Sequence, residues 1–329
     1  MSTVTSKKLR IAVVGAGGWG WQHARALSDR ADVELCAIVG RTLERTRARA
    51  ERVGATPYTD LIAMLETEQP DLVTICLPNQ GHFAPTLQVI EGGFPLIVEK
   101  PLVFDLSEGE RLIAEAAKRD LFFSIVFNHR YARPVQMAHA AIEQGKLGDL
   151  IFASWRFGGE GSSDHPHANL IETQCHGFDQ LEYLCGPIAS ISAEMTDKTG
   201  HGYRTLVLAL RFASGAVGSL IGTYDSSYAY RDTHLVEING THGRVLIEDT
   251  VRRYSFQHLG DETAQVWQAG YFNDPDRAFS HPFDLYLDDA LAAFRAHQPP
   301  PIHARAGLRA LQLAYAAIES FETGRRVEV

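Results

Sequence analysis

Four polar side chains recur at helical spacing near the middle of the chain: Glu172, His176, Asp179 and Tyr183. They are four, three and four residues apart, so on an α-helix they share one face, separate from the apolar face. A histidine titrates near neutral pH and is suited to accept a proton. The pattern indicates an acid–base group on a helix, although a solvated surface contact between Glu172 and His176 is an open alternative.

A lysine stands in the triplet Glu99-Lys100-Pro101, directly after the apolar run Leu96 to Val98. A cation beside a developing alkoxide lowers the barrier to hydride loss from the carbinol carbon, as does a base that takes the hydroxyl proton. Lys100 suits the first role and His176 the second. The alternative is that Lys100 is an ordinary lysine at the end of a strand.

A glycine-rich turn, Gly15-Ala16-Gly17-Gly18-Trp19-Gly20, follows an apolar run and opens an amphipathic stretch. In that context GxGxxG is typical of a dinucleotide site, where backbone N–H groups and a helix dipole meet a pyrophosphate. Gly15 permits the tight turn, Gly17 lets the phosphates approach, and Gly20 allows the helix to pack closely on the strand. A turn without a ligand is the alternative.

The end of the second apolar run bears on which dinucleotide binds. An NAD site usually carries an acid there, on the ribose 2′-OH, whereas this chain has Val39-Gly40-Arg41-Thr42. A guanidinium pairs with phosphate through a charge-assisted fork, so Arg41, with Thr42 and Arg45 nearby, favours NADP(H) over NAD(H). NAD(H) is still open, because Arg41 can also be a solvated residue beside a glycine that leaves room for ribose.

The first third of the chain alternates short apolar runs with amphipathic stretches. Strands are expected near residues 9–14, 33–39, 72–77, 96–98 and 122–127, and helices near 18–30, 43–53, 84–92 and 107–119. This rhythm is typical of parallel strands joined by crossover helices. We predict a doubly wound α/β Rossmann domain over residues 1–127, with its chemistry at the carboxyl ends of the strands.

Beyond Asn128 the rhythm changes to a helix, a strand, a glycine- and histidine-rich loop and then six alternating segments between residues 188 and 259. Short turns between neighbouring segments favour antiparallel hairpins. We predict an α+β domain over residues 128–329, with a large open, mainly antiparallel sheet that serves substrate binding and oligomerisation. Helices near 284–296 and 307–323 close the chain, and the second can pack back on the first domain.

Composition excludes several kinds of partner. With 31 basic and 40 acidic side chains, the net charge of −9 opposes a nucleic-acid backbone. Cys36, Cys76, Cys175 and Cys185 lie in apolar segments without CxxC spacing, as expected of reduced thiols. The start, Met1 to Lys8, is polar and short with no apolar h-region behind it, and no run of about 18 apolar residues follows, so we expect neither a leader nor a membrane span. We expect a cytoplasmic protein that binds neither nucleic acid nor a membrane.

Taken in order, these motifs resemble the family of glucose-fructose oxidoreductase, inositol dehydrogenase and the rhizopine catabolism protein (Gfo/Idh/MocA). The match spans nearly the whole chain, and the Glu-Lys-Pro triplet is its most specific element. The matching elements are the Gly15 fingerprint, Pro78-Asn79 with His82, Glu99-Lys100-Pro101, His176-x-x-Asp179 and the closing helix from Gly307-Leu308-Arg309-Ala310 to Thr323-Gly324-Arg325.

The resemblance implies an NAD(P)-dependent dehydrogenase or reductase that acts on a secondary hydroxyl or ketone of a sugar, anhydrosugar or cyclitol. Lys100 and His176 would flank the reacting hydroxyl, with Glu172, where relatives tend to have aspartate, orienting the histidine. The residues expected to contact the cofactor are Gly15, Gly17, Gly18, Trp19, Gly20, Gly40, Arg41, Thr42, Arg45, Leu77, Pro78, Asn79, His82, Glu99 and Lys100. Those expected to contact the substrate are Lys100, Asn128, Arg130, Asn169, Glu172, His176 and Asp179.

Two other functions are open. The same fold can use transient oxidation to drive elimination or hydrolysis of a glycoside, or the chain can be a non-catalytic dinucleotide-binding regulator, which the presence of both Lys100 and His176 disfavours.

Two further expectations concern metals and assembly. No metal site is expected, because two histidines in the loop segment His165-Pro166-His167 lack further fixed ligands. An open sheet with apolar residues on its free face predicts a homodimer or homotetramer. Tyr224, Tyr228 and Tyr230 can lie on that face or stack on a sugar.

Overall fold

The computed structural model of the chain describes residues 7–161 and 163–329. These residues form two compact units. The first comprises the chain up to Val126 together with Asp288–Leu308, and the second comprises Phe127–Leu287 and Arg309–Val329. Each unit has its own sheet.

The first unit is built on a six-stranded parallel sheet, and its strands are ordered β3-β2-β1-β4-β5-β6. The strands are β1 (Leu9–Val14), β2 (Val33–Val39), β3 (Thr56–Tyr58), β4 (Leu72–Ile75), β5 (Leu96–Val98) and β6 (Phe123–Ile125). The helices that connect them are α1 (Gly18–Ser28), α2 (Leu43–Glu51), α3 (Leu61–Glu68), α4 (Phe83–Glu91) and α5 (Leu106–Lys118), with a short 3₁₀ helix at Asn79–Gly81. The predicted doubly wound Rossmann fold is confirmed.

The middle strands of this sheet are mostly apolar because both of their faces are covered. All residues of β4 and β5 are buried, and four of the six residues of β1 are. Continuous hydrophobic strands are typical of parallel sheets with helices on both sides. The polar ends of these strands are therefore the places where functional side chains can reach solvent.

The second unit contains a nine-stranded sheet with the order β14-β13-β12-β11-β7-β10-β9-β8-β15. All its pairs are antiparallel except β7 with β10, which confirms a mainly antiparallel sheet. The strands are β7 (Leu150–Gly158), β8 (Ile188–Thr196), β9 (Thr205–Phe212), β10 (Val217–Thr223), β11 (His234–Gly240), β12 (Gly243–Glu248), β13 (Arg253–His258), β14 (Gln265–Gln268) and β15 (Val327–Glu328).

Helices cover one face of this sheet. They include α6 (Arg133–Glu143) and α7 (Cys175–Cys185), preceded by a 3₁₀ helix at Asn128–Tyr131 and a π-helical turn at Asn169–Thr173. The chain then forms α8 (Asp274–Arg277), α9 (His281–Arg295) and α10 (Arg305–Thr323).

Helix α7 lies close on the sheet because a glycine faces it. A Cβ added at Gly177 would come within 2.7 Å of Trp155 Nε1 and 2.9 Å of a Leu220 methyl carbon. Trp155 is fully buried, and its Nε1–H donates to Gln174 Oε1 at 2.8 Å, just before α7 begins. The helix that carries His176 is thereby fixed at close range to β7 and β10.

The opposite face of the second sheet is open to solvent within this unit. Strand β9 alternates buried and exposed residues, as expected of a sheet covered on one side. Phe152, Val207 and Val217 are among its exposed apolar side chains.

Within the described part of the chain, no helix combines the length and apolar character needed to cross a membrane. The four cysteines are buried free thiols.

Candidate active site

The glycine turn after β1 is closed at its two ends by backbone. Gly15 adopts φ +135°, and a Cβ there would lie 2.2 Å from the carbonyl oxygen of Cys76. A Cβ at Gly20 would lie 1.9 Å from the carbonyl oxygen of Gly15. Both positions therefore require glycine, and the start of α1 lies directly against the end of β1.

The middle of the same turn is open. Cβ atoms added at Gly17 or Gly18 would meet no atom within 4 Å. Gly17 is the N-cap of α1, no side chain caps the helix, and its first turn contains no acidic residue. An uncapped helix N-terminus with open space in front fits the pyrophosphate of a dinucleotide. Trp19, 40% exposed, lies on the first turn of this helix.

The end of β2 has no room for an acidic side chain at position 40. A Cβ on Gly40 would lie 2.3 Å from Thr46 Oγ1 and 2.8 Å from the Ala16 methyl carbon. The next residues, Arg41 and Thr42, are exposed, as is Arg45 one turn into α2. Arg41 and Thr42, the exposed polar residues that follow the strand directly, are cationic and neutral. The first acidic side chain is Glu44 on α2, next to Arg45.

His82 joins the two turns that follow β4 and β5. It is 1% exposed, and its Nδ1 and Nε2 lie 2.8 Å from the Pro101 carbonyl oxygen and 3.0 Å from the Leu77 carbonyl oxygen. Burial lowers the pKa of His82, so the neutral ring donates its one N–H to one of these carbonyls. These contacts position the two turns, and the contact of His82 with the cofactor stays a prediction. Pro78 and Asn79 lie on the surface of the first turn.

Glu99 fixes the turn that carries Lys100. The carboxylate is 5% exposed, lies 3.0 Å from His23 Nε2, and accepts the Lys100 backbone N–H at 3.2 Å. The Glu99 N–H in turn donates to Ile75 on β4 at 2.9 Å. Glu99 is thus held inside the unit, and Lys100 stands half-buried at the carboxyl edge of the sheet. His23 was not among the predicted site residues, because its partner lies 76 residues away.

In the second unit the predicted helix face is only partly correct. His176, Asp179 and Tyr183 lie on α7, but Glu172 lies on the π-helical turn before it, where Gln174 N–H donates to the Asn169 carbonyl at 3.0 Å. This wider turn changes the angle between Glu172 and α7. π-Helical turns occur often at functional sites.

Glu172 is buried and has a tyrosine partner. The Tyr224 hydroxyl lies 3.3 Å from Glu172 Oε2 and 2.7 Å from Thr173 Oγ1. Burial raises the pKa of Tyr224, so the phenol stays protonated and able to donate to the carboxylate. Tyr224 is buried and engaged with Glu172, while Tyr228 and Tyr230 are exposed.

Arg130 and Asp179, both predicted to contact the substrate, pair with each other. Arg130 Nε and Nη2 donate to the two carboxylate oxygens of Asp179 at 2.9 and 2.5 Å. Burial alone would lower the pKa of Arg130, but the Asp179 carboxylate raises it above its ordinary value. The Asp179 side chain is 2% exposed and that of Arg130 is 21% exposed, so Asp179 orients an arginine that keeps some access to solvent.

Two predicted substrate residues are buried. Asn169 Nδ2 donates to the Arg204 carbonyl at 2.8 Å, and its Oδ1 accepts from Gln174 Nε2 at 3.0 Å. Both ends of this amide are engaged inside the unit, and the contact of Asn169 with the substrate stays a prediction. Asn128 is 4% exposed at the start of its 3₁₀ helix.

His129, the residue after Asn128, was not among the predicted site residues. His129 is buried, and its ring stacks on His176 with centroids 4.0 Å apart. Nothing in the spacing of the sequence links two histidines that lie on separate elements.

The histidine loop does not converge on a metal-like cluster. The His167 ring stacks on Tyr203 at 5.0 Å. Burial lowers the pKa of both His165 and His167. Across residues 7–161 and 163–329, no three His, Cys, Asp or Glu side chains are grouped as a metal ion would need.

Comparison with known proteins matches both halves of the chain to one oxidoreductase family. Residues 9–127 match the family model described as an NAD-binding Rossmann fold, and residues 139–329 match the model of its C-terminal alpha/beta domain. The chain is 26% identical to myo-inositol 2-dehydrogenase of Thermotoga maritima over 98% of each chain. It is 27% identical to D-glucoside 3-dehydrogenase of Escherichia coli over 100% of this chain and 99% of the relative.

A solved structure of levoglucosan dehydrogenase in complex with NADH and levoglucosan has the same fold. It superposes with a TM-score of 0.89 at 19% identity and covers 98% of this chain and 100% of the other.

The open space at Gly17 generates a prediction. Gly17→Ala adds a methyl group that meets no protein atom, so the melting temperature should stay unchanged, while NADH binding should weaken about tenfold or more because the methyl fills the phosphate approach. Fluorescence titration with NADH measures this. In the matched variant Gly20→Ala the methyl enters the Gly15 carbonyl, so both stability and binding should fall. Unchanged NADH affinity in Gly17→Ala would contradict the assignment of the phosphates to this turn.

Proposed function

The chain belongs to the Gfo/Idh/MocA oxidoreductase family, with an NAD-binding Rossmann fold and a C-terminal alpha/beta domain, and we propose that it acts on a sugar, anhydrosugar or cyclitol. It moves a hydride between a nicotinamide dinucleotide and a secondary hydroxyl or ketone of that substrate. Relatives named for myo-inositol and D-glucosides, and a structural neighbour holding levoglucosan, support this class.

One observation carries the proposal: Lys100 and the glycine turn share the carboxyl edge of one parallel sheet. The turn follows β1 and Lys100 follows β5, with β4 between them. Ligands of open α/β sheets bind at this edge. The fixed Glu99 carboxylate holds the Lys100 backbone by hydrogen bonding, so the turn that presents the ammonium group is ordered before any ligand arrives.

Lys100 and His176 divide the proton and charge chemistry. A bound nicotinamide supplies the hydride acceptor or donor. In the oxidative direction, His176 takes the proton of the substrate hydroxyl, and the Lys100 ammonium stabilises the negative charge that develops on that oxygen. Glu172, held by the Tyr224 hydroxyl, orients His176. In the reductive direction His176 returns the proton to the carbonyl oxygen.

The proposed cofactor is NADP(H). An acid at position 40 would meet Thr46 and Ala16, and the cationic groups Arg41 and Arg45 are exposed at the same strand end. A 2′-phosphate pairs with such guanidinium groups, whereas the 2′-hydroxyl of NAD(H) gains little from them. Solved neighbours hold NADH, which supports a nicotinamide dinucleotide in general.

The proposed assembly is a homodimer or homotetramer through the open face of the second sheet. Phe152 on β7 lies opposite Val217 on β10, and Ile221 on β10 lies opposite Val207 on β9. Three of these four side chains are exposed as large apolar groups, a pattern that indicates a contact surface.

The proposed compartment is the cytoplasm, since four buried free thiols suit a reducing environment.

Replacing His176 or Lys100 should strongly lower the rate of turnover, while the cofactor still binds. For His176→Asn we expect kcat to fall about 10²- to 10⁴-fold, because the proton of the hydroxyl has no acceptor. Lys100→Met should lower kcat by a similar factor. The assay follows reduced nicotinamide absorbance across a panel of sugars and cyclitols. His258→Gln, an exposed histidine at the end of β13, is the control. Full activity in either variant would remove that residue from the mechanism.

Cofactor choice can be tested at Arg41. Arg41→Ala should weaken NADPH binding about tenfold, since a charge-assisted hydrogen bond to phosphate is lost, and should leave NADH binding nearly unchanged. Arg47→Ala, which removes an exposed arginine on α2, should change neither NADPH binding nor NADH binding. Equal weakening of both dinucleotides by Arg41→Ala would show that Arg41 does not recognise the phosphate.

Assembly can be tested on the open sheet face. Val207→Glu places a charge in the middle of the exposed apolar patch and should shift the mass in sedimentation-velocity experiments towards the monomer. Ala63→Glu, which adds the same charge at an exposed position of α3 in the first unit, is a control for net charge. A wild-type protein that sediments as a monomer, or a Val207→Glu variant that keeps its oligomer, would contradict the proposed interface.

A further inference from the structure

Two buried imidazole rings lie face to face in the second unit. The ring centroids of His129 and His176 are 4.0 Å apart, and the ring planes are inclined by 9°. His129 is 3% exposed and His176 is 7% exposed. The rings come from separate elements, the 3₁₀ helix at Asn128–Tyr131 and α7, so the stack depends on the tertiary fold.

Neighbouring aromatic rings enclose the pair. Phe157 and Phe279 approach His129 in T-shaped geometry at 6.4 and 5.8 Å, and Phe127 approaches His176 in the same way at 5.9 Å. In a packed interior, a ring held on several sides cannot turn without displacing its neighbours. The face-to-face arrangement is therefore a fixed feature of this core.

Charge constrains the pair as well as packing. Two imidazolium cations stacked at this distance repel strongly, because little water is present to screen them. A proton on one ring therefore opposes a proton on the other.

A third histidine adjoins the pair but does not compete for the proton. His234 on β11 lies 5.7 Å from His129, and its Nδ1 is 2.8 Å from Thr250 Oγ1. Burial lowers the pKa of His234 well below its ordinary value, and the charge of His129 lowers it further. His234 is therefore neutral when His129 is charged.

The other titratable and charged groups on the elements packed against the pair already have partners. Arg130, which follows His129, is ion-paired with Asp179 on α7. Glu172, on the turn before α7, receives the Tyr224 hydroxyl. The segment that carries Phe279 presents an apolar ring to the pair.

We propose that His129 is a positioning residue for His176. Its stacked ring holds the plane of the His176 imidazole that takes the proton of the substrate hydroxyl, and a proton on either ring disfavours a proton on the other. The part of this inference that concerns the hydroxyl rests on the proposed function, whereas the coupling of the two rings does not.

The first test uses His129→Phe, which keeps a flat ring but cannot bind a proton. In the oxidative direction the acid limb of the pH profile of kcat/KM should move to higher pH by about one unit, because His176 then binds its proton without a second imidazole beside it that can carry charge. Phe279→Leu is the matched control: it alters packing against the same His129 ring and removes no proton site, so its acid limb should coincide with that of wild type. An unmoved limb in His129→Phe, or an equal shift in Phe279→Leu, would overturn the proposal.

The second test does not require turnover. In full-length protein with ¹⁵N-labelled histidine, NMR titration should give His176 a midpoint of protonation at least about half a pH unit higher in His129→Phe than in wild type. The His176 signal is assigned by its loss in His176→Asn. Coinciding midpoints would disprove the coupling.

The two tests separate the possible failures. A wild-type chain with coupled histidines but no dehydrogenase activity would reject the proposed function alone, and an active enzyme with uncoupled histidines would reject the role of His129 alone. If His129→Phe does not fold, His129→Gln, which also lacks a titratable ring, carries the same expectations in both measurements.

Discussion

The absence of a side chain at Gly20 fixes how closely helix α1 approaches strand β1, and the arrangement of the first unit depends on that distance. Because a Cβ there would enter the Gly15 carbonyl, α1 can begin in direct contact with the end of β1 only when this residue is glycine. The close approach sets the position of the whole helix, including His23 one turn further on, which reaches Glu99. Glu99 in turn accepts the Lys100 N–H. A contact between two backbone segments thus extends through two buried polar side chains to the proposed catalytic lysine.

The second unit uses a similar device. Gly177 lets α7 lie against Trp155, and the Trp155 indole hydrogen-bonds the residue just before the helix. His176, next to Gly177 in sequence, then reaches the ring of His129. In both units a helix that carries or supports a functional group is located by a missing side chain on the face that meets the sheet. The proposed chemistry therefore depends on how closely these two helices pack at Gly20 and Gly177.

Sequence patterns predicted the two sheets because periodicity follows directly from burial. Continuous apolar runs marked the strands of the first sheet, and alternation marked those of the second. The short strand β3 (Thr56–Tyr58) was not predicted, since it has only three residues and none of them is fully buried. Strand β14 was missed for the same reason: its residues are mostly exposed. Helix α3 was not predicted either; it has eight residues, of which Met64 and Leu65 are buried.

The site was predictable as a set of residue types, but its pairings were not. Motif order identified Lys100, His176 and the glycine turn. The ion pair of Arg130 with Asp179 joins residues 49 apart in the chain, and local spacing has no information on such contacts. The spacing of Glu172 and His176 indicated one continuous helix. The change from π-helical (i to i+5) to α-helical (i to i+4) backbone hydrogen bonds between them cannot be recognised from a pattern of polar residues.

The π-helical turn at Asn169–Thr173 allows the position of Glu172 to be set separately from the position of helix α7. Helix α7 is anchored to the sheet by the close approach of Gly177 to Trp155 on β7, and both residues lie outside the turn. A turn that holds one extra residue can lose or gain that residue while the anchored helix stays in register. Such a change would rotate Glu172 and redirect the incoming loop, and the histidine would stay where it is. The turn can therefore change where Glu172 lies without moving the helix, and its effect on the proposed acid–base pair would come through the orientation of that carboxylate alone.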